Sequence, residues 1–311
     1  MRKQMTDEKR GLARRILEEA GQVILGKEEL IFRVLTAMLA GGHILLEDVP
    51  GVGKTTLAVA FSRIMGLSWR RVQFTPDVMP SDLTGFSIYR KDQEAFVYQP
   101  GAVFCNLLLA DEINRTSPRT QSALLEVMEE RQVTVDGVTR PVPSPFYVIA
   151  TQNPYGTAGT HPLPPAQSDR FMVSLSMGYP DFEDEVELAR DTARRDKRGQ
   201  VLCDARILEE MSREAEGIFI HDKVCRYMVS LVAATRNHSL ISQGASPRAT
   251  IALAKMSRAM AWLQREDYVT PLEVRELFID VCRHRIVPNR RAQSQGMGRE
   301  EILKEILEHV R

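Results

Sequence analysis

Three observations predict an α/β fold, a doubly wound parallel sheet followed by a small all-α region. Short apolar runs alternate with helical patterns through the first 178 residues. One of those runs, Leu107-Leu108-Leu109-Ala110, is apolar on both faces, as a strand covered by helices on each side must be. After Gly178-Tyr179-Pro180 only helical periodicity remains. A chain of 311 residues has room for two domains, and the change of character places them at 1–178 and 179–311.

Each element has its own signal. Residues 9–22 read as a helix with Leu12, Ile16 and Leu17 on one face. A second helix over 28–40 ends at Gly41-Gly42, a glycine C-cap. His43-Ile44-Leu45-Leu46 reads as a strand, then comes a glycine-containing loop and a helix to about residue 65. Residues 71–74 form a short strand candidate. Between 75 and 101 the pattern is irregular, punctuated by Pro76, Pro80, Gly85 and Pro100. That length predicts an inserted element with its own task. A buried strand over 106–110 leads to a helix opened by Pro118, with Gln121, Leu124, Leu125 and Met128 in one stripe. Asp136-Gly137 between alternating segments predicts a hairpin over about 132–143. Further strands follow at 146–151 and 171–177, then helices with breaks near Gly217, Gly244 and Thr270-Pro271.

Composition narrows the function classes. Forty-one basic and 41 acidic residues cancel, so no concentrated basic surface announces nucleic acid. No apolar run is long enough to span a membrane, and the charged first residues lack a leader's apolar stretch. Four scattered cysteines fit neither a zinc site nor a disulfide framework. A cytoplasmic protein with reduced thiols is expected.

The chemistry begins at Asp48-Val49-Pro50-Gly51-Val52-Gly53-Lys54-Thr55, set between a strand and a helix. Glycines let successive N–H groups point at phosphate oxygens, and the helix start adds its positive dipole end. Lys54 can reach the β- and γ-phosphates, and Thr55 can ligate Mg²⁺. The pattern G-x-x-x-x-G-K-[ST] wants glycine where this chain has Asp48, a departure at the start of the loop. The strand Leu107 to Ala110 delivers Asp111 and Glu112 at its carboxyl end, where open parallel sheets bind ligands. Asp111 suits a metal's hydration shell, and Glu112 suits the polarisation of water. The next strand ends in Gln152-Asn153-Pro154. Its amide could orient that water, or simply form a turn.

Taken in order, Asp48 to Thr55, Leu107 to Glu112, Asn153, Ser168-Asp169-Arg170-Phe171 and Ala245-Ser246-Pro247-Arg248 resemble the AAA+ ATPases. The phrase running from Arg71-Val72-Gln73-Phe74 to Asp82-Leu83-Thr84-Gly85 resembles the MoxR family. That family lies in the helix-2-insert clade, related to magnesium chelatase ATPase subunits. The resemblance implies a P-loop AAA+ core with a helical lid, and ATP and Mg²⁺ as cofactors. It makes Pro50, Gly51, Val52, Gly53, Lys54, Thr55 and Thr56 the Walker A loop, with Asp111 and Glu112 as Walker B. Thr55 and Asp111 would serve the metal. Asn153 matches sensor 1, Arg170 the arginine finger acting on a neighbouring subunit, and Arg248 sensor 2. Ile24 and Gly26 fall in the segment that flanks adenine. Read alone, Arg170 and Arg248 would be surface arginines; their place in the ordered set reverses that. Arg115 stands as a second-tier candidate.

The resemblance further implies a homo-oligomeric, hexameric ring and a von Willebrand A domain protein as partner, with an activity that remodels or matures a client. Residues 75–101 resemble the helix-2 insert, and residues 132–143 the hairpin before sensor 1. Two other classes remain open from the sequence, a nucleic-acid motor or loader and a nucleotide-dependent scaffold with negligible turnover.

Overall fold

The computed structural model describes residues 2–48, 51–152, 163–190 and 199–310. Two helices, α1 (Arg2–Val23) and α2 (Glu28–Leu39), precede strand β1 (Ile44–Glu47). The predicted glycine cap ends α2: Gly41 has φ 71°, and its N–H donates to Met38 O while Gly42 N–H donates to Ala37 O. Then follow α3 (Lys54–Ile64), β2 (Trp69–Gln73), α4 (Pro80–Thr84), β3 (Gly85–Arg90), β4 (Ala95–Pro100) and β5 (Leu107–Asp111). Helix α5 (Pro118–Glu130) leads to β6 (Gln132–Val135), β7 (Val138–Pro141), β8 (Tyr147–Gln152), α6 (Pro165–Ser168) and β9 (Val173–Leu175).

The central sheet runs in the order β2-β5-β8-β1-β9, with every pairing parallel. Alternate residues on each strand enter different cores, as a period of two requires. Ile44, Leu46, Leu107 and Leu109 join Val34 of α2 and Phe61 of α3 on one face. Leu45, Leu108, Ala110 and Val148 join Leu124 and Met128 of α5 on the other. Both faces are therefore dry, which explains the unbroken apolar run in β5. The register sets Gln73 beside Asp111 and Glu47 beside Gln152, so the carboxyl ends of four strands form one edge.

The segment over 75–101, expected to be irregular, holds a short helix and an antiparallel hairpin of two six-residue strands, β3 with β4. Its turn lacks an Asn-Gly or Asp-Gly pair; the left-handed residue is Glu94, at φ 47°. The second hairpin turns at Asp136 and Gly137, both left-handed as a type I′ turn demands. The two hairpins touch, and the Arg140 guanidinium lies 3.9 Å above the Tyr98 ring.

Beyond β9 the chain is helical: α7 (Phe182–Arg190), α8 (Ala205–Glu216), α9 (Asp222–Asn237), α10 (Pro247–Leu263), α11 (Pro271–Cys282), α12 (Arg290–Ser294) and α13 (Arg299–His309). Two short strand pairs bridge them, Phe219–Ile220 with Tyr268–Val269 and Ile241–Gln243 with Val287–Pro288. Helices α1 and α2 pack against α8 and α10. Arg10 of α1 donates to the carbonyls of Arg265 at 3.2 Å and Glu266 at 2.9 Å. Among the described residues no helix is long and apolar enough to cross a membrane.

Candidate functional site

The loop after β1 opens onto the carboxyl edge of the sheet. Gly51 and Gly53 adopt φ 92° and 97°, values that a side chain would strain. Gly53 caps α3, so the first turn of that helix (Lys54, Thr55, Thr56) begins at the loop. Val52 packs on the main core, while Pro50 lies outside the described residues. Lys54 Nζ donates to Asp48 O at 3.0 Å. Burial lowers the Lys54 pKa, and the carboxylates of Asp48, Asp111 and Glu112 pull it back up.

Asp111 and Glu112 face this loop. Asp111 Oδ1 accepts from Thr151 Oγ1 at 2.6 Å, and Oδ2 accepts from Arg71 Nη2 at 2.7 Å. Glu112 turns left-handed at φ 56°, which separates its side chain from that of Asp111. Its Oε2 accepts from Gln73 Nε2 at 3.0 Å and from Arg115 Nη1 at 2.8 Å. A cavity of about 310 Å³ results, lined by Gly51, Gly53, Lys54 and Thr55 and by Arg71, Gln73, Asp111 and Glu112. The Thr55 hydroxyl and Asp111 carboxylate are hard oxygen donors of the type Mg²⁺ takes. Both line the same cavity, so the donor set fits the ion. Among the described residues no cluster of three or more His, Cys, Asp or Glu forms a protein cage for a metal. A Mg²⁺ held mostly by phosphates and water needs none.

Asp48 has a role that the sequence pattern hides. Its buried carboxylate accepts from Ser176 Oγ at 2.8 Å, from Gly178 N at 3.2 Å and from the Met177 amide. The start of the phosphate loop is thereby tied to the chain leaving β9. Met177 also approaches Gly53; a Cβ there would lie 3.6 Å from its Cε. On its other side Met177 shares a cavity of about 470 Å³ with Gly26. Gly26, at φ 64°, has no room for a Cβ because Asp184 of α7 packs against it, and Ile24 is buried in the core. Lys27 Nζ holds Tyr179 O at 2.7 Å. The N-terminal segment and the start of the helical region thus meet beside the phosphate loop.

Arg170 and Arg248 lie elsewhere. Arg170 precedes β9, at the amino edge of the sheet, and Arg248 sits in the first turn of α10. Both reach Glu129 near the end of α5, at 3.2 Å and 2.5 Å. Their neighbours are also joined: Ser246 Oγ bonds Asp169 Oδ2 at 2.7 Å, and the buried Arg285 donates to Asp169 Oδ1 at 2.8 Å. With four residues in β1, the two edges stand roughly 13 Å apart. Neither arginine lines the phosphate cavity. They line a separate one of about 360 Å³, with Gly42, Arg131 and Lys255. Larger cavities exist among the described residues, but the one at the phosphate loop joins glycine backbone, a lysine and two carboxylates from the end of β5. Asn153 lies outside the described residues.

His43, at the same amino edge, is locked neutral. Nδ1 accepts from Val148 N–H at 3.0 Å, leaving Nε2 to donate to Met128 O at 3.1 Å. Burial, and then the nearby Arg131, push its pKa down to about 3. The cysteines are free thiols; burial pushes Cys105 up to about 11 and Cys203 up to about 12.

Sequence reasoning missed Thr151, Gln73, Arg71 and Glu129. Polar residues at strand ends flanking Asp111 were the available signal for the first three. No local signal marks Glu129.

Residues 43–173 match the family described as ATPase family associated with various cellular activities (AAA), and residues 233–306 match the AAA lid domain. Chaperone MoxR1 of Mycobacterium tuberculosis is 40% identical over 305 residues, covering 95% of this chain and 81% of that protein. The YeaC protein of Bacillus subtilis is 43% identical over 300 residues, covering 95% and 93%. Protein MoxR of Methylorubrum extorquens is 30% identical over 303 residues, covering 89% and 88%. The crystal structure of a Cytophaga hutchinsonii protein superposes with a TM-score of 0.93 at 38% identity, covering 99% and 97% of the two chains.

Proposed function

The chain belongs to the MoxR family of AAA+ ATPases, and from that premise we propose that it hydrolyses Mg²⁺-ATP in a ring of copies to remodel a partner complex. The nucleotide-binding unit extends to about residue 178 and the lid from 179 to 311. Gly51, Gly53 and the start of α3 cradle the phosphates through backbone N–H groups, with Lys54 supplying charge. Thr55 and Asp111 hold Mg²⁺, which supplies charge neutralisation on the phosphates. Glu112 takes the proton of the attacking water, which Asn153 orients. Ile24 and Gly26 border the base.

The observation that carries the ring is the position of Glu129 and its two arginines. Arg170 and Arg248 share one carboxylate at the amino edge, and neither lines the protomer's own phosphate cavity. On this reading Arg170 serves nucleotide held by the next copy, and Arg248, joined to it through Glu129, reaches the γ-phosphate at the same interface. Mixing two inactive variants tests this. Lys54→Ala protomers lack a working site but keep their arginines; Arg170→Ala protomers keep the site and lack the finger. Turnover should return on mixing, and its absence would sink action in trans.

Six copies, a cytoplasmic location and a von Willebrand A domain partner follow the family pattern. Support for a partner surface comes from the two touching hairpins, where Phe86, Tyr89 and Phe96 stand exposed. Deleting residues 77–99 should spare nucleotide binding and abolish partner activation. ATPase stimulated by DNA in a salt-sensitive way would instead favour a nucleic-acid motor. A scaffold would show negligible turnover that Glu112→Gln leaves unchanged.

A further inference from the structure

Among the described residues, two cations line the phosphate cavity, Lys54 and Arg71. Arg71 opens the phrase that marks the family, and neither the phosphate loop nor the metal ligands account for it. It stands on β2 opposite Leu109, two residues before the strand ends at Gln73. Its guanidinium donates from Nη2 to Asp111 Oδ2 at 2.7 Å and to Gln73 Oε1 at 3.1 Å. Both bonds use the same nitrogen, so Nε and Nη1 have no hydrogen-bond partner among the described residues. The side chain is 45% exposed, against 13% for its carboxylate partner. A guanidinium half free of its neighbours, in the same cavity as Lys54, has the reach and the donors to take a second anion.

We propose that Arg71 is a further triphosphate-contacting residue acting within its own protomer, resting on Asp111 and turning to the γ-phosphate when nucleotide binds. The inference rests on the reading of Lys54, Thr55 and Asp111 as the Mg²⁺-nucleotide site. Three features make the movement favourable. A metal ion served by Asp111 would repel a second cation on that carboxylate, which favours release of Arg71. The planar fork of arginine can then bind two phosphate oxygens at once. The two arginines the family pattern supplies are both occupied at the amino edge, which leaves the cis position to Arg71.

Equilibrium binding of ADP and of a non-hydrolysable ATP analogue, each titrated with Mg²⁺, tests the inference without turnover. Arg71→Ala should weaken the analogue by about tenfold or more, the scale of a charge-assisted hydrogen bond, and change ADP by less than about twofold. With Asp111 relieved of its internal cation, half-saturation of ADP binding should need about threefold less Mg²⁺. Arg71→Lys should lie between Ala and the parent chain, keeping charge without the fork. Thermal unfolding without nucleotide checks that each variant folds; should the alanine variant not fold, Arg71→Gln takes its place. Equal losses for ADP and analogue would overturn the proposal, as would no loss for either. Lys54→Ala separates the layers. Abolished binding there with an inert Arg71→Ala defeats only this inference, whereas intact binding in Lys54→Ala defeats the site reading and the inference with it.

Discussion

The two edges of the central sheet are built on the same device and differ in what surrounds it. At the carboxyl edge one arginine, Arg71, rests on Asp111 beside glycine backbone and Lys54. At the amino edge two arginines, Arg170 and Arg248, share Glu129, with Arg131 and Lys255 lining the same cavity. The first edge pairs acid with base one to one and adds an anion cradle. The second sets five cations, Arg131, Arg170, Arg248, Lys255 and Arg285, against two carboxylates, Glu129 and Asp169. On the proposed ring reading, the anion-binding half of one copy meets the cation-donating half of the next across an interface.

That contrast can be broken at several points. The largest effect should come from Arg170→Ala, which should lower turnover by about a thousandfold with nucleotide binding intact. A steady-state ATPase assay beside a binding titration checks it; lost binding would move Arg170 into the cis site. Glu112→Gln should slow hydrolysis by about a hundredfold, again sparing binding. If turnover hardly changed, the acid at the carboxyl edge would not be the base.

Asp48→Gly restores the glycine that the loop pattern asks for, and should nonetheless harm the protein. It strands the Met177 and Gly178 amides and the Ser176 hydroxyl, with a loss of about 3 kcal/mol in denaturant unfolding. A neutral or stabilising result would mean that the tie is dispensable.

At the amino edge, pH offers a gentler probe. Folded His43 titrates near 3 against an ordinary 6.5, so as pH falls the unfolded chain takes up the proton first. Its contribution is whole above about 6.5 and is lost progressively between there and about 3, by roughly 1.4 kcal/mol per pH unit. Unfolding curves at several pH values for the parent and His43→Gln should show that slope in the parent alone. Smallest of all, Glu129→Gln should shift stability by less than about 1 kcal/mol, because its arginine pairs are partly exposed.

How much of this was legible in the sequence differs between the edges too. Lys54, Thr55, Asp111 and Glu112 were readable because phosphate chemistry needs those residue types directly after a strand. Leu107 to Ala110 announced a doubly covered strand for the same local reason. Glu129 was not readable, since its bond to Arg248 joins positions 119 residues apart. Arg71 was visible only as the head of a short strand and of the family phrase; the register beside β5 is what brings it to Asp111. The β3–β4 hairpin escaped notice because its turn uses Glu94 where glycine or asparagine is the usual mark.

Asp48 carries one more consequence. Its carboxylate closes the chain from residue 48 to residue 178 into a loop held by two backbone N–H donors and the Ser176 hydroxyl. Closing so long a segment is entropically little worse than closing one half its length, by about 0.6 kcal/mol. The clasp sits where the strand before the phosphate loop ends and the path to α7 begins. It prolongs the pairing of β1 with β9 past the end of both strands, so the mouth of the phosphate loop and the start of that path are gathered together, as a purse is at its drawstring.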